Sequence, residues 1–120
     1  MKVLYVDDEP ALARLASRAL PLHGIGVETF TDPEAALAAY EADPSDFDLV
    51  VTDYAMGAIT GLHLIDRLRA ITPGLPVILT SGYLNVGERA EAAERSIEVF
   101  LQKPATIAEL VDAILAAGGR

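Results

Sequence analysis

Four short apolar runs in this chain each end on side chains capable of chemistry. Asp7 and Asp8 follow Val3-Leu4-Tyr5-Val6, and Asp53 follows Leu49-Val50-Val51-Thr52. Ser81 follows Val77-Ile78-Leu79-Thr80, and Lys103 lies just past Val99-Phe100-Leu101. The runs are rich in β-branched and aromatic residues and too short for helices, as buried parallel strands are. If all four leave one sheet at the same edge, their following side chains converge there. That carboxyl edge is where open α/β sheets hold ligands.

The segments between the runs have the helical period that such a sheet requires. Asp8-Glu9-Pro10 resembles a helix start with an acidic N-cap and proline in the first turn. Leu12, Leu15, Ala16, Ala19 and Leu20 then recur at helical spacing, up to a stop near Pro21 to Gly24. A strand over Val27 to Phe30 precedes a second acidic cap, Thr31-Asp32-Pro33-Glu34, and an alanine-rich helix to about Ala42 that Pro44 stops. After Asp53 a loop from Tyr54 to Thr60 leads to a third helix through Leu62, Ile65, Leu68 and Arg69. Gly87 to Arg95 is polar with little apolar periodicity, so a helix there is the most exposed and least firmly held. Thr106 and Glu109 have capping-box spacing before the apolar face Ile107, Leu110, Val111, Ile114 and Leu115, and Gly118-Gly119 ends that helix. Five strands alternating with five helices predict a flavodoxin-like (βα)5 three-layer sandwich: a five-stranded parallel sheet, right-handed crossovers and helices on both faces.

Charge and length narrow the function. The 120 residues suit one domain over 1–120, and 52% hydrophobic content fills one core. A net charge of −9 without a Lys/Arg cluster argues against direct nucleic-acid binding. No stretch approaches the ~20 apolar residues of a membrane span, the apolar run at the start is too short for a signal peptide, and cysteine is absent. The expectation is a soluble cytoplasmic protein without membrane contact.

Four motifs in order carry a resemblance: Asp7-Asp8, Asp53-x-x-Met56 with Gly61 eight positions beyond the aspartate, Pro76 to Gly82, and Lys103-Pro104. Together they resemble the receiver domain of two-component response regulators over essentially the whole chain. The resemblance implies strand order 2-1-3-4-5, the order of a chemotaxis member of that family. It also implies phosphoryl transfer from a phosphohistidine of a sensor histidine kinase or a histidine phosphotransfer protein onto Asp53, followed by a conformational switch that signals to a downstream effector. A weak homodimer is compatible with it.

The residues support that chemistry independently. Three carboxylates at one edge repel one another and raise one another's pKa unless a cation joins them. Oxygen ligands without cysteine or a nearby histidine suit a hard ion, Mg²⁺. The resemblance assigns metal contact to Asp8 and Asp53, to Asp7 directly or through water, and to the backbone carbonyl of Ala55. Asp53 is the expected nucleophile, Lys103 the point charge on the phosphoryl oxygens and Ser81 their hydroxyl donor. Thr80 competes with Ser81 for the last role, but strand alternation from Pro76 and the following Gly82 favour Ser81. Phe100 takes the position of an aromatic switch residue and, lacking a phenol hydroxyl, acts through packing. The resemblance also implies that the Lys103-Pro104 bond is cis. Ala55 and Tyr83 occupy positions that tune phosphoryl lifetime in the family, with Tyr83 expected to shield Asp53 from water.

Two departures stand out. Gly57 replaces a common proline, with Ile59 in place of a second common methionine in the same loop, and Ala105 stands where a bulky aromatic or aliphatic residue is frequent. A phosphatase with an aspartate nucleophile wants an acidic residue where Ala55 stands, so turnover on other molecules is not expected. A flavin or nucleotide binder wants a glycine- or hydroxyl-rich loop where Asp7-Asp8-Glu9 stands. A degenerate receiver serving as a phosphorylation-independent interaction module is the alternative. By resemblance, signalling uses the surface of the fourth helix, fifth strand and fifth helix, with Arg89, Arg95 and Phe100 on or near it.

Overall fold

A computed structural model describes residues 1–57, 59–97 and 99–118. Five strands, β1 (Lys2–Val6), β2 (Gly26–Phe30), β3 (Leu49–Asp53), β4 (Val77–Ser81) and β5 (Val99–Gln102), form one sheet of order β2-β1-β3-β4-β5. Every neighbouring pair is parallel. The helices α1 (Pro10–Ala19), α2 (Pro33–Ala42), α3 (Gly61–Ile71), α4 (Val86–Glu94) and α5 (Ile107–Gly118) form the connections and the end of the fold. This is the flavodoxin-like sandwich the alternating pattern predicts.

Side-chain alternation along the strands divides the core into two layers. Leu4, Val6, Val50, Val77 and Leu79 pack against α2, α3 and α4. Val3, Tyr5, Leu49, Val51 and Ile78 face α1 and α5. Leu62, Leu64, Ile65 and Leu68 of α3 are fully or almost fully buried, each contributing about 1.5–3 kcal/mol of transfer free energy. The Tyr40 phenol donates to the Thr72 hydroxyl at 2.6 Å, which satisfies the one polar atom this large side chain takes into the core.

Several local expectations need correction. The N-cap of α1 is Glu9, without a side-chain cap bond, and not Asp8. The Asp7 carboxylate accepts the Glu9 amide at 2.9 Å, while Asp8 stays exposed. Leu15 of α1 and Leu115 of α5 are each 49% exposed, so neither lies on its helix's buried face. On α1 the small residues Ala13 and Ala16 make the close approach, and on α5 Ile114 does, leaving Leu115 turned by about one residue's rotation, ~100°. The segment 54–60 holds a two-stranded antiparallel ladder, Ala55–Met56 against Ile59–Thr60. Gly57 turns it at φ +75°, a conformation that favours glycine. Gly118 is the last residue of α5, and the expected stop at Gly119 lies outside the described residues.

The fourth helix is as exposed as its composition implies, with Ala92 its one buried residue among those described. Both its ends are nevertheless fastened. Asn85 and Glu88 form a full capping box, at 2.8 and 2.9 Å. Beyond the other end, Arg95 makes two contacts with Asp66 of α3, at 2.8 and 3.0 Å, and its carbonyl accepts from Arg69. Arg95 therefore faces α3, which corrects its expected place on the surface of α4, β5 and α5.

Candidate functional site

Strand alternation delivers the site to one face of the sheet. Asp7 continues the parity of Val3 and Tyr5, Asp53 that of Leu49 and Val51, and Lys103 that of Val99 and Leu101, all on the α1/α5 side. Asp7, Asp8 and Asp53 each bring a carboxylate oxygen into a group spanning no more than 4.8 Å. Asp7 is 0% exposed and Asp53 7%. Lys103 reaches between them: its Nζ lies 2.9 Å from Asp7 Oδ2, 3.2 Å from Asp53 Oδ2 and 3.4 Å from Glu9 Oε1. The Lys103-Pro104 peptide bond is cis.

The electrostatics follow from this crowding. Burial, above all, raises the Asp53 pKa, and the charge of Asp7 adds to it; Lys103 and the Tyr54 amide pull the other way. For Lys103, burial works to lower the pKa but is outweighed by Asp7 and Asp53, so the ammonium is held charged well above its ordinary range. Burial pushes the Tyr5 phenol up to about 12, with Asp7 next in influence. Asp7 Oδ2 takes no directed hydrogen bond among the described residues and has the Lys103 charge as its ion-pair partner. A buried carboxylate oxygen whose one partner among the described residues is the Lys103 ammonium, within a cluster of oxygen donors, fits a hard divalent cation.

The backbone around Asp53 is tightly held. Tyr54 donates its amide to the Thr80 carbonyl at 2.9 Å, and Gly61 donates to the Tyr54 carbonyl at 2.7 Å. A Cβ at Gly61 would overlap the Asp53 carbonyl oxygen, so the helix that follows the loop starts this close only with glycine. Thr60 caps that helix, its hydroxyl accepting the His63 amide at 3.3 Å.

Ser81 and Phe100 lie on the opposite parity, with Val77 and Leu79. They line one cavity of 220 Å³ together with Tyr83, Leu84 and Arg89. The Ser81 hydroxyl donates to the Tyr83 carbonyl at 3.1 Å. Phe100 is half-buried, and the Arg89 guanidinium lies 5.9 Å from its ring centre. Tyr83 is 77% exposed. Ala55 is exposed in the short ladder two residues past Asp53. No spacing rule in the sequence marks Glu9, the third acidic neighbour of Lys103, or the Tyr5 phenol, because only the fold brings them beside residue 103.

A doubly wound parallel sheet with an acidic, lysine-bridged pocket at its carboxyl edge is thus the class of molecule that fold and site define. The family model of the response regulator receiver domain matches residues 3–115, and the chain belongs to that family. It is 36% identical over 109 residues to the probable transcriptional regulatory protein TcrX of Mycobacterium tuberculosis, covering 91% of this chain and 46% of that one. To the transcriptional regulatory protein TcrA of the same organism it is 33% identical over 110 residues, 92% of this chain and 43% of the other. The chain thus spans a little under half the length of these curated relatives. Among solved structures, a response regulator receiver domain protein from Clostridium thermocellum superposes with TM-score 0.90 at 27% identity, covering 99% of this chain and 94% of that one. A receiver protein from Pseudomonas putida gives TM-score 0.85 at 28% identity, with 96% and 95% covered. Among the described residues no helix is long and apolar enough to cross a membrane.

Proposed function

We propose that this chain is a phosphoacceptor domain of a two-component system, in which Asp53 receives a phosphoryl group from a phosphohistidine of a kinase or phosphotransfer protein. The observation that carries this reading is the half-neutralised carboxylate cluster, in which Asp53 is buried beside Asp7 under a single lysine. An Asp53 carboxylate oxygen attacks phosphorus, the new P–O bond forms as the P–N bond breaks, and the imidazole leaves. Asp7, Asp8, Asp53 and the Ala55 carbonyl are the proposed holders of Mg²⁺, which when bound supplies positive charge that offsets repulsion between carboxylate and phosphoryl oxygens. Lys103 stays charged throughout because its pKa is raised, and it moves from Asp53 towards the incoming oxygens. Ser81 trades its bond to the Tyr83 carbonyl for one to a phosphoryl oxygen, and Phe100 turns into the cavity they share. Tyr83, exposed at the lip, shields the product from water. A cytoplasmic location and a downstream protein partner go with this reading.

Intact-mass measurement with acetyl phosphate as donor tests it. The expected result is a Mg²⁺-dependent gain of one phosphoryl group that is absent in Asp53→Asn. No gain with any donor would leave the phosphorylation-independent interaction module as the better account.

A further inference from the structure

The carboxylates that surround Lys103 are not equivalent. Asp7 and Asp53, 2.9 and 3.2 Å from its Nζ, are almost fully buried and belong to the acidic group proposed to hold the metal. Glu9 lies 3.4 Å from the same Nζ, stands outside that group, and has a side chain 62% exposed. It is the N-cap residue of α1 yet makes no side-chain capping bond, so its carboxylate turns to Lys103 instead of to the helix amides. Its own amide donates to Asp7 Oδ1 at 2.9 Å, which fixes the backbone from which the side chain reaches out. A cavity of 330 Å³ between α1 and the start of α5 meets Glu9 and Lys103 at one end, leaving space beside them.

We propose that Glu9 is a specificity-determining residue for the phosphodonor, favouring donors that release a protonated nitrogen group over donors that release an anion. The inference rests on the phosphoacceptor reading of Asp53. In that transfer the Asp53 oxygen, the phosphorus and the leaving atom stand roughly in line. Asp53 is buried, so the leaving group stays on the open side of the phosphorus, where the Glu9 carboxylate is exposed beside the ammonium. Asp8 is exposed as well, but it belongs to the metal-holding group, whose bound ion offsets its charge. From a phosphohistidine, the P–O bond to Asp53 forms as the P–N bond breaks. The electron pair of the broken bond passes to that ring nitrogen, and the proton already on the other ring nitrogen lets the imidazole depart neutral. The ring keeps part of its positive charge in the transition state, and Glu9 attracts it. From an acyl phosphate the electron pair departs on a carboxylate oxygen, whose growing negative charge Glu9 repels.

Rates of phosphoryl uptake from phosphoramidate and from acetyl phosphate, followed by intact mass at saturating Mg²⁺, test this on the wild-type chain, Glu9→Gln and Glu9→Asp. Phosphoramidate releases neutral ammonia from a protonated nitrogen, whereas acetyl phosphate releases acetate. Glu9→Gln is expected to lower the ratio of the phosphoramidate rate to the acetyl phosphate rate by about three- to tenfold, the worth of one charge several ångströms away in a partly solvated setting. That change should shrink at high ionic strength, and Glu9→Asp, which keeps the charge, should stay nearer to the wild-type ratio. A side chain that merely held the fold would move both donors alike. Uptake with an unchanged ratio in Glu9→Gln, or a shift in Glu9→Asp as large as in Glu9→Gln, overturns the proposal while leaving the phosphoacceptor reading in place. Absence of uptake from either donor by the wild-type chain overturns both.

Discussion

Asp53 works in a setting that makes its charge costly. Its pKa is raised chiefly by burial, so between its ordinary and its folded-state value the native chain binds more protons than the unfolded one. Stability therefore falls as pH rises through that window and is regained below it. Asp53→Asn removes the charge and should raise the denaturation midpoint at neutral pH, with the gain shrinking as pH drops through the raised pKa of Asp53; urea titrations at neutral and acidic pH check this. Lys103 has the opposite sign. Its raised pKa means that its contribution is fully present below the unfolded value and lost only when alkaline pH passes the folded one. Truncating it to Met should cost on the order of 3 kcal/mol, because two buried carboxylates then lack a counter-charge, and the double variant with Asp53→Asn should recover much of that loss.

The elements differ in how they are held. Most buried side chains of α3 come from its leucine and isoleucine face, whereas α4 has Ala92 alone and relies on polar fastenings at both ends. Asn85→Ala removes one half of the capping box and should cost about 1 kcal/mol. Hydrogen exchange should then accelerate in 86–94 while the strands keep their protection; acceleration spread evenly over the sheet would contradict this picture of a locally anchored helix. The helix with the fewest buried side chains among the described residues is thus also the one that neighbours the cavity shared by Ser81 and Phe100 through Arg89.

Across the whole molecule the −9 charge and the crowded carboxyl edge make divalent cation binding a stability term. Mg²⁺ at a hundredfold excess over its dissociation constant should add about 2.7 kcal/mol, be reversed by chelation, and be lost in Asp8→Asn; sodium at equal ionic strength, measured by thermal unfolding, is the control. The strands, the helix order and the convergence of Asp7, Asp8, Asp53 and Lys103 were legible in the sequence because they rest on local periodicity and on which residue follows each apolar run. Those signals act over a few residues and survive without knowledge of the partner. Glu9 beside Lys103, Arg95 turned to α3, the exposure of Leu15 and Leu115, and the cavity between α1 and α5 were not legible. Each depends on how far one helix stands from another and how each is rotated, and those distances are set by side-chain volumes summed across separate elements, as where the small buried residues Ala13 and Ala16 bring α1 close to the sheet.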